Sequence, residues 1–164
     1  LRDRRLPIAT GWSPFAAANG WLVVTVTDDW RAVEPDEREL CRRIADVVYS
    51  SKVGHPVKTI IVCEDDIDPS NLAELVWAID GRNDRGERGQ IRLGNNFGWP
   101  MSPYVHPDRD NFPRGWEATS VVWNCLPRRG EPKPPRTKFT ENYSETLRHK
   151  VIANWESDGF PPLA

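Results

Sequence analysis

Three short apolar runs constrain this chain more than anything else in it. "WLVVTVT" at residues 21–27, "TIIVC" at 59–63 and "SVVWNCL" at 120–126 are rich in β-branched residues and flanked by turn formers. Strands are written this way, and "TIIVC" in particular reads as a strand covered on both faces. The segments between them follow a helical period instead. Residues 34–51 put Leu40, Ile44, Val47 and Val48 on one side of a helix, with Pro35 in its first turn and Asp36, Glu37 and Glu39 at its positive end. Residues 69–80 place Leu72, Leu75, Val76 and Ile79 on a second helix, with Asp68 the expected N-cap and Gly81 the expected stop. Residues 91–93 read as a short strand. From about Asn142, with Glu145 as a capping-box partner, a last helix is expected to bury Leu147, Val151, Ile152 and Trp155 before Gly159 and the Pro161-Pro162 pair end it. The order predicts an α/β fold: a layered mixed sheet with flanking helices and a C-terminal helix.

At 164 residues the chain has the length of one domain, expected to divide into an α/β body over 1–140 and a helix with tail over 141–164. A net charge of -2 leaves no basic excess to grip a phosphate backbone, so nucleic acid is not an expected partner. The apolar runs fall far short of the roughly 20 residues that span a bilayer, and no membrane segment is expected. Three cysteines, Cys41, Cys63 and Cys125, are an odd set without metal-ligand spacing. Cys63 and Cys125 read as buried reduced thiols, which fits a reducing compartment such as the cytoplasm. The first residue is Leu1 and no signal-peptide pattern follows, so the chain reads as part of a longer polypeptide.

Candidate chemistry is sparse. The acidic cluster Glu64, Asp65, Asp66 and Asp68 carries oxygen ligands suited to magnesium or calcium, but it lacks calcium-loop spacing, and negative charge before a helix is favourable without any metal. Capping and surface polarity are therefore the preferred use, and no metal site is expected. His149 lies beside Arg148 and Lys150 on a wet helix face, and His106 sits in a proline-rich loop without a nucleophile motif. No phosphate loop, nucleophile elbow or zinc-protease motif is present. Two aromatic, proline-bearing stretches remain: "GWSPF" from Gly11, and "GWPMSPY" from Gly98 within the longer "NFGWPMSPYVHP", which reads as irregular throughout. Proline gives the neighbouring ring a fixed direction, which suits a pocket wall and a core lid equally well.

With these residues in view, the chain resembles the C-terminal domain of the UbiD family of decarboxylases, most closely the fungal ferulate, cinnamate and gallate branch. The stretches that carry the resemblance are "LPIATGWSPFAAANGWLVVTV", "IIVCEDDIDPSNLAELVWAIDGR", "GWPMSPY" and "KVIANWESDGF". It implies a carboxy-lyase acting on aromatic or α,β-unsaturated acids with prenylated FMN, whose reactive chemistry belongs to the cofactor. It also implies that the acid-base residues, a divalent metal and potassium are held by a preceding flavin-binding domain absent from this chain. On that reading no residue here is catalytic, and neither flavin nor metal is expected on this chain alone. Carried over by motif, Trp12 and Phe15 stand on the substrate side of the flavin, and Trp99 and Met101 close the pocket. Ala9 stands where relatives often offer a lysine to the flavin phosphate. The expected partners are a second copy of the chain, the flavin-binding domain and a small acid substrate. A free-standing assembly module of the same fold, without catalysis, is the alternative.

Overall fold

The computed structural model describes residues 5–18, 20–83, 89–97, 117–131 and 142–162. Contacts divide the chain into two units, Leu1–Pro132 and Lys133–Ala164. The described part of the first unit is built from β1 (Ile8–Trp12), β2 (Trp21–Val26), α1 (Trp30–Val33), α2 (Glu37–Tyr49), β3 (Thr59–Glu64), α3 (Leu72–Gly81), β4 (Gln90–Phe97) and β5 (Glu117–Asn124). That of the second is built from α4 (Glu145–Asn154).

Among the described residues the strands form one sheet in the order β1-β2-β3-β5-β4. The three apolar runs become its centre: β2, β3 and β5 are parallel neighbours, while β1 and β4 close the two edges antiparallel. Parallel strands need cover on both faces, which is why these runs are continuously apolar rather than alternating. Successive residues then divide between two cores. Val24, Val26, Ile60, Val62 and Val122 join Leu40, Cys41, Ile44, Ala45 and Val48 of α2 in one cluster. Val23, Ile61 and Cys63 join Ile67, Cys125 and Leu75 and Ala78 of α3 in the other. Each fully buried valine or isoleucine contributes roughly 1.5–3 kcal/mol.

Several sequence expectations shift at the element ends. β1 is an edge strand that "IATGW" does not announce, because its outward residues are exposed and its partner is β2 alone. The first expected helix starts a few residues late, with the separate turn α1 lying ahead of it: α2 begins after Asp36, whose carboxylate accepts from the backbone N–H groups of Arg38 and Glu39 at 2.9 Å each. The second begins at Leu72 rather than Pro69, because Asn71 Oδ1 takes the N–H groups of Ala73 and Glu74 and so outcompetes Asp68 as the cap. Asp68 instead closes the preceding turn, accepting from the Ser70 N–H and hydroxyl. In α3, Leu75 and Ala78 are buried, whereas Leu72 and Val76 are half exposed. β4 runs on to Phe97, so Asn96 and Phe97 belong to a strand paired with β5 and are not irregular.

In the second unit, Ser144 caps α4, its hydroxyl accepting from the Leu147 N–H at 3.3 Å. The expected buried face is absent: no residue of α4 is buried, and Leu147 and Ile152 are 43% and 49% exposed. Trp155 stacks on Phe160 with ring centroids 4.5 Å apart and donates its indole N–H to the Pro161 carbonyl.

Candidate functional site

The turn that joins β1 to β2 carries the first two predicted pocket residues. Gly11 and Trp12 end β1, Pro14 extends the chain, and Phe15–Ala17 make one 3₁₀ turn. The Ser13 hydroxyl donates to the Trp21 carbonyl at 3.0 Å, tying the turn to the start of β2. Ala18 closes it at φ 45°, a left-handed conformation that costs a non-glycine residue about 1 kcal/mol or more. Trp12 is 46% exposed and Phe15 is 99% exposed. A turn held this firmly, yet presenting two large rings to the outside, is built to hold those rings out rather than to cap a core.

Register fixes the direction of Trp12. It lies opposite Val23 across the β1–β2 ladder, and directly paired residues share a face. Val23 belongs to the α3 side, so Trp12 does too. Trp21, Trp77 and Trp123 also pack, partly buried, against that cluster. These three were not singled out from the sequence. The alternation within "WLVVTVT" puts Trp21 on Val23's face, but only once that face is known to be the open one. Trp99 and Met101, the other two predicted pocket residues, lie outside the described residues, as does His106.

The C-terminal ends of the parallel strands gather the charged groups. Glu64, 3% exposed, accepts a hydrogen bond from the Trp30 indole at 3.1 Å, with the Arg31 guanidinium at 3.9 Å. Asp66 receives a two-pronged hydrogen bond from Arg82, whose guanidinium also lies 5.0 Å from the centre of the Trp77 ring. Burial pulls the Arg82 guanidinium down, but the Asp66 hydrogen bond and charge outweigh it and hold it above its usual range. The Arg82 side chain is 2% exposed, with Asp66 as its partner at the end of α3. Partial burial and the nearby Asp28 carboxylate raise Asp65 above the usual carboxylate range. Thus Glu64 holds the Trp30 indole, Asp66 holds Arg82 and Asp68 closes a turn, while the cap of α3 is Asn71 and not the expected Asp68. Among the described residues there is no group of three or more His, Cys, Asp or Glu side chains that could hold a metal ion.

All three cysteines are free and buried. The expectation of buried thiols at Cys63 and Cys125 therefore holds. Burial pushes the Cys41 thiol well up, and a hydrogen bond with Cys125 together with burial does the same to Cys63, so neither is a ready nucleophile. His149 is exposed and sits 4.0 Å from Glu145 one turn earlier on α4. A pocket of about 440 Å³ opens at the start of α2, lined by Pro35, Asp36, Glu37, Arg38, Arg128, Arg129 and Glu131. Its mixed charges do not fit a flat apolar ring system. No described helix is long and apolar enough to cross a membrane.

Comparison with known proteins agrees with this architecture. The family model described as 3-octaprenyl-4-hydroxybenzoate carboxy-lyase C-terminal domain matches residues 4–106. Ferulic acid decarboxylase 1 of Saccharomyces cerevisiae is 27% identical over 159 residues, and pyrrole-2-carboxylic acid decarboxylase of Pseudomonas aeruginosa is 30% identical over 163. Each alignment takes in 94% of this chain but only 31% of the relative, so the chain spans about a third of their length. Among solved structures, vanillic acid decarboxylase of Sedimentibacter hydroxybenzoicus in its closed form superposes with a TM-score of 0.61 at 17% identity, over 96% of this chain and 30% of that one. The UbiD-class enzyme HmfF from Pelotomaculum thermopropionicum, solved with FMN, gives 0.60 at 13% identity, over 91% and 29%. At such low identity these two establish a shared fold.

Proposed function

The chain belongs to the family of UbiD C-terminal domains, and from that premise we propose that it is the pocket-lining and subunit-contact part of a prenylated-FMN-dependent, non-oxidative decarboxylase. The family match over residues 4–106 carries this reading, since it takes in β1, the aromatic turn, two of the three central strands, β2 and β3, and the helices α2 and α3 that pack on them. Its substrates are aromatic or α,β-unsaturated carboxylic acids. The names of the two curated relatives, for ferulic acid and pyrrole-2-carboxylic acid, support that class, and the FMN held by HmfF supports a flavin.

In this reading the flavin, a divalent metal and potassium are bound by a separate flavin-binding domain of the same polypeptide. The prenylated flavin supplies the bond-breaking chemistry there. This chain's contribution is shape: Trp12 and Phe15, with Trp99 and Met101, wall the substrate side of the pocket, and Ala9 offers the flavin phosphate no cation. The α/β body and the C-terminal helix also make the contacts of a homodimer or larger homo-oligomer. Three buried free thiols suit the reducing cytoplasm. By itself the chain does not decarboxylate.

The test is made on the full-length polypeptide. It should carry flavin absorbance and release carbon dioxide from a panel of cinnamic, hydroxybenzoic and heteroaromatic acids, while residues 1–164 alone should do neither. Replacing Trp99 with alanine in the full-length protein should change which acids are accepted and leave the flavin in place. A parent sequence with no flavin-binding domain would favour the free-standing assembly module instead.

A further inference from the structure

The two helices that cover the sheet are finished differently on their outer sides. α2 carries six charged residues in thirteen, and all but the buried Glu37, namely Arg38, Glu39, Arg42, Arg43 and Asp46, reach solvent at least in part, as on a helix facing water. α3, "LAELVWAIDG", carries two in ten. Leu72 and Val76, one turn apart, are 50% and 54% exposed, and Ala73 between them is exposed as well. A helix that is apolar on more than its core-facing stripe belongs inside a larger body. On the same side of the sheet, Trp12 also stands half exposed beyond the cover that α3 gives.

We infer that the outer side of α3, centred on Leu72 and Val76, is the surface on which the flavin-binding remainder of the parent polypeptide docks. This rests on the functional reading above and names the surface through which it operates. Two observations choose that occupant. The relatives have about two-thirds of their length beyond the part this chain matches, which is ample to cover such a face. Trp12, which the functional reading points toward the flavin, lies on this side of the sheet and not on the α2 side. Docking against α3 would bring the two parts together on the side where Trp12 stands.

Cysteine labelling of the full-length polypeptide tests this directly. Val76→Cys and Arg42→Cys each place a thiol at a position exposed here, one on α3 and one on α2. With a maleimide probe, Val76→Cys should react at least about tenfold more slowly than Arg42→Cys, because it must wait for the interface to open, and the two rates should converge in urea. Leu72→Cys serves as the second α3 position should Val76→Cys misfold. Equal rates in the native protein would overturn the inference. Protection that fades on dilution would assign the face to a second copy of the chain, and so overturn it too. Failure of the functional reading is seen separately: a parent without flavin or carbon dioxide release would sink the enzyme while leaving the labelling contrast intact.

Discussion

The two faces of the central sheet are made from the same strands, yet they end in opposite states. On the α2 side, Val24, Val26, Ile60, Val62 and Val122 lie at 0% exposure under Leu40 and Ile44, and the helix above them is charged outside. On the α3 side, Val23 and Ile61 are equally buried, but tryptophans surround them and remain partly open, and the covering helix stays apolar outside. The first face is closed mainly with aliphatic residues, and its one fully buried ring, Trp30, spends its indole N–H internally on Glu64. The second is ringed by tryptophans that stay partly open, and large amphipathic rings of this kind are enriched where a protein meets another molecule or domain. One side is therefore closed, and the other carries the open rings that the proposed function puts to use.

The strongest challenge to that division is a pair of truncations. Ile60→Ala, on the closed face, should cost about 2–5 kcal/mol in urea unfolding through the cavity it leaves. Trp12→Ala removes a much larger side chain from the open face, yet should cost about 1 kcal/mol or less, because half of the ring is already in water. Equal losses would dissolve the distinction.

The α3 layer is also tied by a charge pair, Arg82 with Asp66, whose cation is far more buried than that of the Arg43–Glu34 pair on α2. Asp66→Ala would strand the buried Arg82 guanidinium beneath the end of α3, and a loss of about 3 kcal/mol is expected. The same change made at Asp46, on the exposed side of α2, should fall within about 0.5 kcal/mol.

Both faces should respond to alkali, and more gently. Cys41 lies in the α2 core and Cys63 in the α3 core, and both thiols titrate above their ordinary range in the folded chain. A raised folded pKa means that the unfolded chain gives up the proton first. This contribution is intact below the ordinary thiol pKa of about 8.5 and is lost as pH rises beyond it, by up to about 1.4 kcal/mol per pH unit for each thiol. Cys41→Val should flatten the decline in unfolding free energy between about pH 8.5 and 10; an unchanged slope would show that this thiol is not shielded.

The sequence exposes the closed face far better than the open one. β2, β3 and β5 are legible because a strand buried on both sides must be apolar throughout, and α2 because its charges and aliphatics separate by helical period. β1 is missed because an edge strand with exposed residues needs no pattern, only a partner, and β2 supplies it. The start of α3 is misplaced because Asp68, Ser70 and Asn71 are all competent caps, and only geometry shows that Asn71 reaches the free N–H groups. The apolar stripe of α4 is visible in the sequence, yet periodicity does not say what covers it, and in this chain none of its residues is buried. Trp12 and Phe15 are proposed for the pocket on family motifs rather than on chemistry, because a pocket wall carries no titratable or metal-binding signal of its own.

The account stands or falls on whether the aromatic turn shapes a reaction carried out elsewhere in the polypeptide. The most direct measurement is the acid preference of full-length Trp12→Ala and Phe15→Ala, read as carbon dioxide release across a panel of aromatic and unsaturated acids with flavin content measured in parallel. The predicted result is retained flavin with a changed order of preferred acids. Retained flavin with the order of the unaltered enzyme would contradict it and remove both residues from the pocket.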